Sequence, residues 1–257
     1  MDYILSESSA SVEKKSRGIS HFILKIIAYV FMLADLVAAY ILETHVFDVT
    51  SLTADGAADG YTTAQLIDLF LRLAGGIAFP IFCFLIVEGV LHTSNIKKYI
   101  LRLAATAVIT EFIWDIANGS NILDFSSQNP LFTLLIGLIV LAITEHFKGQ
   151  TIITALSACA GIVLSSFVNS QFGDFGYGVI LIVLMYYTRD KKLFFNIFGI
   201  LLTVIAGMLN GYIFSALAFT IIPLYNGKRG GPKAVLPFYF IYPAALLILH
   251  LIGALFF

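Results

Sequence analysis

The chain has 257 residues, of which 59% are hydrophobic and only 12% are charged, and its formal net charge is −1. Soluble domains carry about twice that fraction of charged residues, so the composition excludes an ordinary soluble protein and indicates an all-α, polytopic membrane protein. The near-neutral charge gives no reason to expect a nucleic-acid partner.

The first 20 residues are predicted to form a disordered cytoplasmic tail. The opening MDYILSESSASVEKKSRG lacks the basic start and apolar core of a cleavable signal peptide. Residues 21–257 contain neither an internal repeat nor a linker that would separate a second domain. They are therefore expected to form a single transmembrane domain.

Apolar segments predict about nine transmembrane helices, near 21–43, 65–91, 98–117, 129–147, 151–168, 175–188, 193–209, 211–225 and 234–257. The sixth to eighth segments are short for a span, and residues 193–225 could instead form a bent hairpin turning at Asn210–Gly211. Cys83 and Cys159 both fall within predicted spans, which favours free, buried thiols over a disulfide.

The basic residues predict the orientation of these helices. With nine spans, every Lys and Arg except Arg72 falls on one face, in the segments that contain Lys14, Lys15, Arg17 and Lys25; Lys97, Lys98 and Arg102; Lys148; Arg189, Lys191 and Lys192; and Lys228, Arg229 and Lys233. By the positive-inside rule, the N-terminus is cytoplasmic and the C-terminus lies outside.

Several ionisable residues lie inside the predicted spans, where a charge costs about 2.5–3.5 kcal/mol unless it is paired or functional. Arg72 is expected to pair with one or more of the acids in the outer half, Asp35, Glu111 and Asp115. These residues could form a structural lock between helices, or an acid left over could act in catalysis. Glu88 and His92 lie at the inner end, where His92 could be a general base.

Two basic segments at the cytoplasmic face could hold phosphates. Lys97, Lys98 and Arg102 open the third predicted helix, and the loop PLYNGKRGGPK from Pro223 combines flexible glycines with three cations. Glycine-rich basic loops can bind phosphate through exposed amides and positive charge. Basic cytoplasmic loops are also what the topology alone requires, so this pattern is weak evidence for a site.

Four segments together resemble the TraX family of membrane proteins. They are LKIIAYVFMLAD at 24–35; RLAGGIAFPIFCFLIVEGVLHT with KKYILRL between Arg72 and Arg102; TEFIWD at 110–115; and LYNGKRG at 224–230 with FYFIYP at 238–243. Weaker agreement at 129–138 and 173–179 extends the resemblance over nearly the whole chain after residue 20. The family is named for a protein that acetylates the N-terminus of conjugative pilin.

The resemblance implies a bacterial cytoplasmic-membrane acyltransferase that uses acetyl-CoA as co-substrate, with no metal. It implies catalytic roles for His92, Glu88, Asp35, Glu111 and Asp115, and a substrate-binding or structural role for Arg72. Phosphate contacts would come from Lys97, Lys98, Arg102, Asn226, Lys228 and Arg229. The sequence departs from the family pattern at Leu36 and Ala245, where the family motifs typically carry histidine.

Three functions therefore stay open. The first is transfer of an acetyl group to an amine or hydroxyl of a peptide, lipid or glycan that is membrane-associated or exported. The second is a binding or assembly role without catalysis, which the two missing histidines favour. The third is transport through the intramembrane charge cluster. A homo-oligomer is compatible with each of them.

Overall fold

The computed structural model describes residues 18–46, 63–119, 128–168, 176–210, 213–231 and 236–256. Over these ranges the fold is helical and contains no strand, which confirms the predicted all-α class. The α-helices are α1 His21–Val37, α2 Thr63–Gly75, α3 Ala78–His92, α4 Ile96–Ala117, α5 Leu131–His146, α6 Thr151–Val168, α7 Tyr177–Thr188, α8 Lys192–Asn210, α9 Ala218–Ile221 and α10 Leu236–Phe256.

Four helical stretches are long and apolar enough to cross a membrane, namely His21–Glu43, Thr63–His92, Thr151–Val168 and Pro237–Leu255. The first continues from α1 into a π-helix, Ala38–Val46, and the second joins α2 to α3. Shorter apolar stretches are Leu131–His146, Tyr177–Thr188, Lys192–Met208 and Ile213–Leu224. Helix α4 has 22 residues but carries five charged side chains. The nine predicted apolar segments each coincide with helix among the described residues.

The region around residues 193–225 takes the bent form that the sequence left open. A 3₁₀ turn, α9 and a second 3₁₀ turn follow α8 between Ile213 and Leu224. This stretch returns along α8, where a Cβ built on Gly199 would lie 1.9 Å from the Phe219 ring. Its 12 residues extend roughly 20 Å, less than the hydrocarbon core of a bilayer.

The core of the bundle is formed around α3. Ten of its fifteen residues are buried, including Ile81, Cys83 and Val87 at 0% exposure. Because α3 contacts α1, α5 and α7, it has almost no outward face. The prediction of two buried thiols was wrong for Cys159, which is exposed on the outer side of α6.

Basic segments from distant parts of the sequence meet at one end of the bundle. Ile19 pairs with Tyr225 in an isolated parallel bridge, and the first amides of α1 donate to the carbonyls of Lys228 and Arg229 at 2.8 and 3.0 Å. Gly18–Ser20 were placed in the disordered tail, but these contacts fix them as part of the fold. The remaining tail residues, 1–17, lie outside the described ranges.

Candidate functional site

A cavity of about 1320 Å³ runs between α1, α3, α4 and α10. One end is lined by side chains from the basic end of the bundle: His21, Lys25, Glu88, His92, Arg102, Tyr225 and Arg229. The other end is lined by Asp35, Tyr40, Glu43, Arg72 and Asn118. Because Glu88 and Arg72 are 16 residues apart along α2 and α3, the two groups are separated by roughly 24 Å.

Arg72 forms an ion cluster with two carboxylates of the first helix. Its Nη1 contacts Asp35 Oδ1 at 3.0 Å, and its Nε and Nη2 donate to the two oxygens of Glu43 at 2.5 and 2.7 Å. The predicted pairing with Asp35 is therefore confirmed. A planar guanidinium bound by both oxygens of one carboxylate is held in a fixed direction.

Local backbone features build this cluster. In a regular α-helix, Asp35 and Glu43 would lie about 80° apart around the axis, but the wider π-helix after Val37 changes that angle and both carboxylates reach Arg72. Gly75, at the end of α2, allows α1 to approach closely, since a Cβ there would lie 2.3 Å from the Cβ of Asp35.

Glu111 pairs with an amide instead of with Arg72. Its Oε2 accepts from the backbone N–H of Asn129 at 3.0 Å and also from the Asn129 side-chain amide. Of the three acids expected near Arg72, Asp35 is thus the one that pairs with it, together with Glu43, whereas Glu111 takes its donors from Asn129. Glu111 and Asp115 are buried but are absent from the cavity wall, and their catalytic role stays a prediction.

Glu88 and His92 form a histidine–carboxylate pair at the basic end. His92 Nδ1 lies 2.9 Å from the Glu88 backbone oxygen and 3.5 Å from Glu88 Oε2. The carboxylate is 8% exposed, whereas the imidazole is 63% exposed and lies at the cavity wall. Hydrogen bonding at Nδ1 leaves Nε2 available to accept a proton.

Lys25, Arg102 and Arg229 place positive charge around the same mouth. Lys25 Nζ lies 4.8 Å from the centre of the Phe238 ring, and the Arg102 guanidinium lies 5.8 Å from that of Tyr239. These cation–π contacts direct both side chains toward the start of α10. Arg102 Nε is buried without a hydrogen-bond partner, which leaves one strong donor for an anion in the cavity.

The other predicted phosphate ligands are not part of the cavity lining. Lys97, Lys98 and Lys228 are exposed. Asn226 has a structural role, since its side-chain amide donates to the Gly18 carbonyl at 3.1 Å and its Oδ1 accepts from the Lys228 amide at 2.9 Å. Phosphate contacts by these four residues stay a prediction.

Sequence reasoning did not assign several polar residues of the cavity wall to the site, among them His21, Lys25, Glu43 and Tyr225. Lys25 and Glu43 could have been found, because they are the charged residues at the two ends of the first apolar segment. Tyr225 carried no signal, since an aromatic residue at a helix end is common in any membrane protein.

Comparison with known proteins assigns the family. The family described as TraX protein matches residues 20–253. A "Probable fimbrial assembly protein FimC, serogroup H1" from Dichelobacter nodosus is 33% identical over 135 residues, which cover 48% of this chain and 51% of that protein. The chain thus spans about half the length of this curated relative. No solved structure matches the chain. Since the family match covers nearly the whole chain, the protein belongs to the TraX family.

Proposed function

We propose that this chain is a multi-pass protein of the bacterial cytoplasmic membrane that transfers an acetyl group from cytosolic acetyl-CoA to an amine or hydroxyl of a membrane-associated or exported acceptor. Family membership and the apolar helices support the location. The predicted orientation, with a cytoplasmic N-terminus and an external C-terminus, is the same whether residues 193–225 span twice or form a hairpin, and it would place the basic end of the bundle in the cytoplasm.

One observation carries the proposal: a single cavity joins a cationic mouth with a histidine–carboxylate pair to an ion cluster at the opposite end. Its volume exceeds the roughly 300–1,000 Å³ of sites that hold drug-sized ligands. The cationic mouth would take the phosphates of coenzyme A from one side. The acceptor would enter from the side of Arg72.

The residues at the mouth fit a polyphosphate ligand. Lys25, Arg102 and Arg229 line it together with the carboxylate of Glu88, and Gly227 and Gly231 bring backbone close to the cavity. Arg229 also repels Lys25 electrostatically. A bound anion would relieve this repulsion and would pair with the unpartnered Nε of Arg102.

The chemistry follows from His92 and Glu88. Acetyl-CoA supplies an activated thioester, whose C–S bond breaks as the acceptor nitrogen or oxygen bonds to the acetyl carbon. His92 Nε2 takes the proton that the acceptor loses and passes it to the leaving thiolate. The neighbouring Glu88 carboxylate stabilises the imidazolium between these two proton transfers.

The binding test measures the thermal stability of the detergent-purified protein over a range of acetyl-CoA concentrations, with acetate as control. The turnover test measures release of free thiol in the presence of candidate acceptors. Arg229→Ala is expected to weaken acetyl-CoA binding about 10-fold, because it removes a charge-assisted contact. Lys97→Ala is the matched control, since this exposed cation is not at the cavity wall. A folded sample with no saturable shift would refute the proposal.

A second function, binding without turnover, is favoured by one observation. Leu36 and Ala245, where the resemblance expects histidine, lie together in an apolar cluster with Tyr40, Tyr242 and Leu246. In that case the cavity would hold a ligand or an exported subunit during assembly, in keeping with the fimbrial-assembly name of the relative. Saturable binding of acetyl-CoA without thiol release, across peptide, lipid and glycan acceptors, would support this function.

A further inference from the structure

The side chain of Tyr99, from α4, lies against α3 beside the histidine–carboxylate pair. A Cβ built on Gly89 would lie 2.7 Å from Tyr99 Cε1 and 2.8 Å from the Tyr99 hydroxyl oxygen. Because Gly89 carries no side chain, the phenol can rest directly on the backbone of α3, next to Glu88. Gly89 and Tyr99 both line the cavity. The close approach of the two helices thus places the hydroxyl at the cavity wall.

The Tyr99 hydroxyl is available to a ligand, unlike the hydroxyls of two other tyrosines of the cavity wall. Tyr29 donates to the Phe238 carbonyl at 2.5 Å, and Tyr40 donates to Asn118 Oδ1 at 3.3 Å. Within the part of the chain that the structure describes, no group forms a hydrogen bond with the Tyr99 hydroxyl. A phenol O–H is a hydrogen-bond donor. This donor is therefore left for a group inside the cavity.

His92 lies one helical turn beyond Gly89 on the same face of α3. Side chains three residues apart on a helix have Cβ atoms about 5–6 Å apart. Since the Tyr99 hydroxyl lies 2.8 Å from the Cβ position of Gly89, it lies at most about 9 Å from the Cβ of His92. An acetyl carbonyl and an attacking atom fit between a base and a donor at this separation.

Helix α4 presents further polar side chains to the same part of the cavity. Tyr99, Arg102 and Thr106 all line it, at the three- and four-residue spacing of one helix face. The hydroxyl of Thr106 is occupied, since it donates to the Arg102 carbonyl at 2.9 Å. The Arg102 guanidinium adds positive charge one turn from the phenol. A donor beside a cation stabilises negative charge that develops in front of them.

We propose, resting on the acyl transfer proposed above, that Tyr99 is a catalytic residue that donates a hydrogen bond to the carbonyl oxygen of the acetyl thioester. As the acceptor nitrogen or oxygen bonds to the acetyl carbon, an electron pair of the C=O bond moves onto that oxygen. The phenol keeps its proton and stabilises the negative charge, while His92 takes the proton of the acceptor. The electron pair returns when the C–S bond breaks, and the leaving thiolate receives the proton from His92.

The kinetic test is Tyr99→Phe, which keeps the ring over Gly89 and removes only the hydroxyl. Loss of one such donor lowers kcat by about 100- to 1,000-fold in other enzymes, and we expect a decrease of about 100-fold here. The Kd for acetyl-CoA should change by less than about threefold, because the donor acts mainly on charge that develops in the transition state. The unfolding temperature should change by less than about 4 °C, since the ring packing is retained.

Gly89→Ala tests the placement of the hydroxyl independently, because it keeps Tyr99 but adds a Cβ where the phenol now lies. This variant should also lower kcat, and the double variant with Tyr99→Phe should be no slower than Gly89→Ala alone, since both act through one hydroxyl. Tyr186→Phe is the matched control, because Tyr186 donates to Glu145 Oε1 at 2.5 Å and neither residue lines the cavity. An unchanged kcat in Tyr99→Phe, or an equal decrease in Tyr186→Phe, would overturn the catalytic role.

A spectroscopic measurement without turnover separates this inference from the proposed function. Isotope-edited infrared spectroscopy records the stretching frequency of the thioester carbonyl when acetyl-CoA, labelled at the carbonyl carbon, is bound without an acceptor. A hydrogen bond to the carbonyl oxygen lowers this frequency, so it should be lower in the wild type than in Tyr99→Phe.

The possible results have different consequences. A lower frequency in a wild-type protein that releases no thiol with any acceptor would support the hydrogen bond from Tyr99 and refute transfer. Equal frequencies, with acetyl-CoA bound to both proteins, would overturn the role of Tyr99 even if the wild type is an active transferase. A folded wild-type protein that binds no acetyl-CoA would overturn both.

Discussion

Replacing Arg72 by Ala would leave two carboxylates of the first helix without their cation. The side chain of Arg72 is 26% exposed, and those of Asp35 and Glu43 are each 33% exposed. Breaking a fully buried ion pair costs about 3–5 kcal/mol, whereas an exposed pair contributes about 0.2–1 kcal/mol. For side chains that are about one-third exposed, we expect a loss of about 2–3 kcal/mol.

At this chain length, about 2–3 kcal/mol corresponds to a decrease of roughly 5–10 °C in the unfolding temperature. Scanning fluorimetry of the purified protein measures this decrease. The matched control is Lys148→Ala, which removes a pair with Glu145 at 3.5 Å in which the lysine is 73% exposed. It should change the unfolding temperature by no more than about 2 °C.

Neutralising the acids provides the decisive comparison. If unpaired charge causes the loss, the triple variant Arg72→Met, Asp35→Asn, Glu43→Gln should be more stable than Arg72→Met alone, because no buried carboxylate is then left without a cation. An Arg72→Ala protein as stable as the wild type, or a triple variant no more stable than Arg72→Met, would refute the reasoning.

Two further substitutions test local contacts through the unfolding temperature. Gly75→Ala should destabilise the fold by about 1–3 kcal/mol, because the new Cβ would lie 2.3 Å from the Cβ of Asp35 and would force α1 and α2 apart. An unchanged unfolding temperature would contradict this close approach. Asn129→Asp should cost about 3 kcal/mol or more at neutral pH, since it replaces a donor to Glu111 with a like charge. That deficit should shrink as the pH falls, because protonation of either carboxyl restores a donor, and a deficit independent of pH would exclude this cause.

The positions of the helices were predictable because the signals are local. A run of apolar residues indicates the length of each helix, and the break between α2 and α3 occurs at Gly76–Ile77 inside one long apolar segment. The meeting of basic segments at one end, seen in the bridge between Ile19 and Tyr225, also agrees with their assignment to a single face. Both properties are recorded in the order of residues along the chain.

The partners of the intramembrane charges were only partly predictable because they depend on helix geometry. Counting residues along the first helix placed Asp35 near Arg72 but placed Glu43 at the helix end, next to a loop. No sequence pattern predicted the π-helix that brings the Glu43 carboxylate to Arg72. Likewise, Glu111 was one of three acids considered as partners of Arg72, whereas its carboxylate accepts hydrogen bonds from the backbone and side chain of Asn129. A buried carboxylate needs hydrogen-bond donors, and an amide can supply them as well as a cation.

The two departures from the family pattern amount to one local change. Leu36 and Ala245 belong to the same apolar cluster, and Leu36 lies beside Asp35 at the end of the cavity that contains Arg72. A lone histidine in this cluster would be a buried polar group that needs a partner, so loss of one favours loss of the other. The basic end is remote from this change, because Glu88 and His92 lie roughly 24 and 30 Å from Arg72 along α2 and α3. His92 is therefore the histidine of the cavity wall at that end to which the proposed reaction assigns the proton, and an assay of thiol release by Glu88→Gln tests that reaction more directly than restoring the two histidines would.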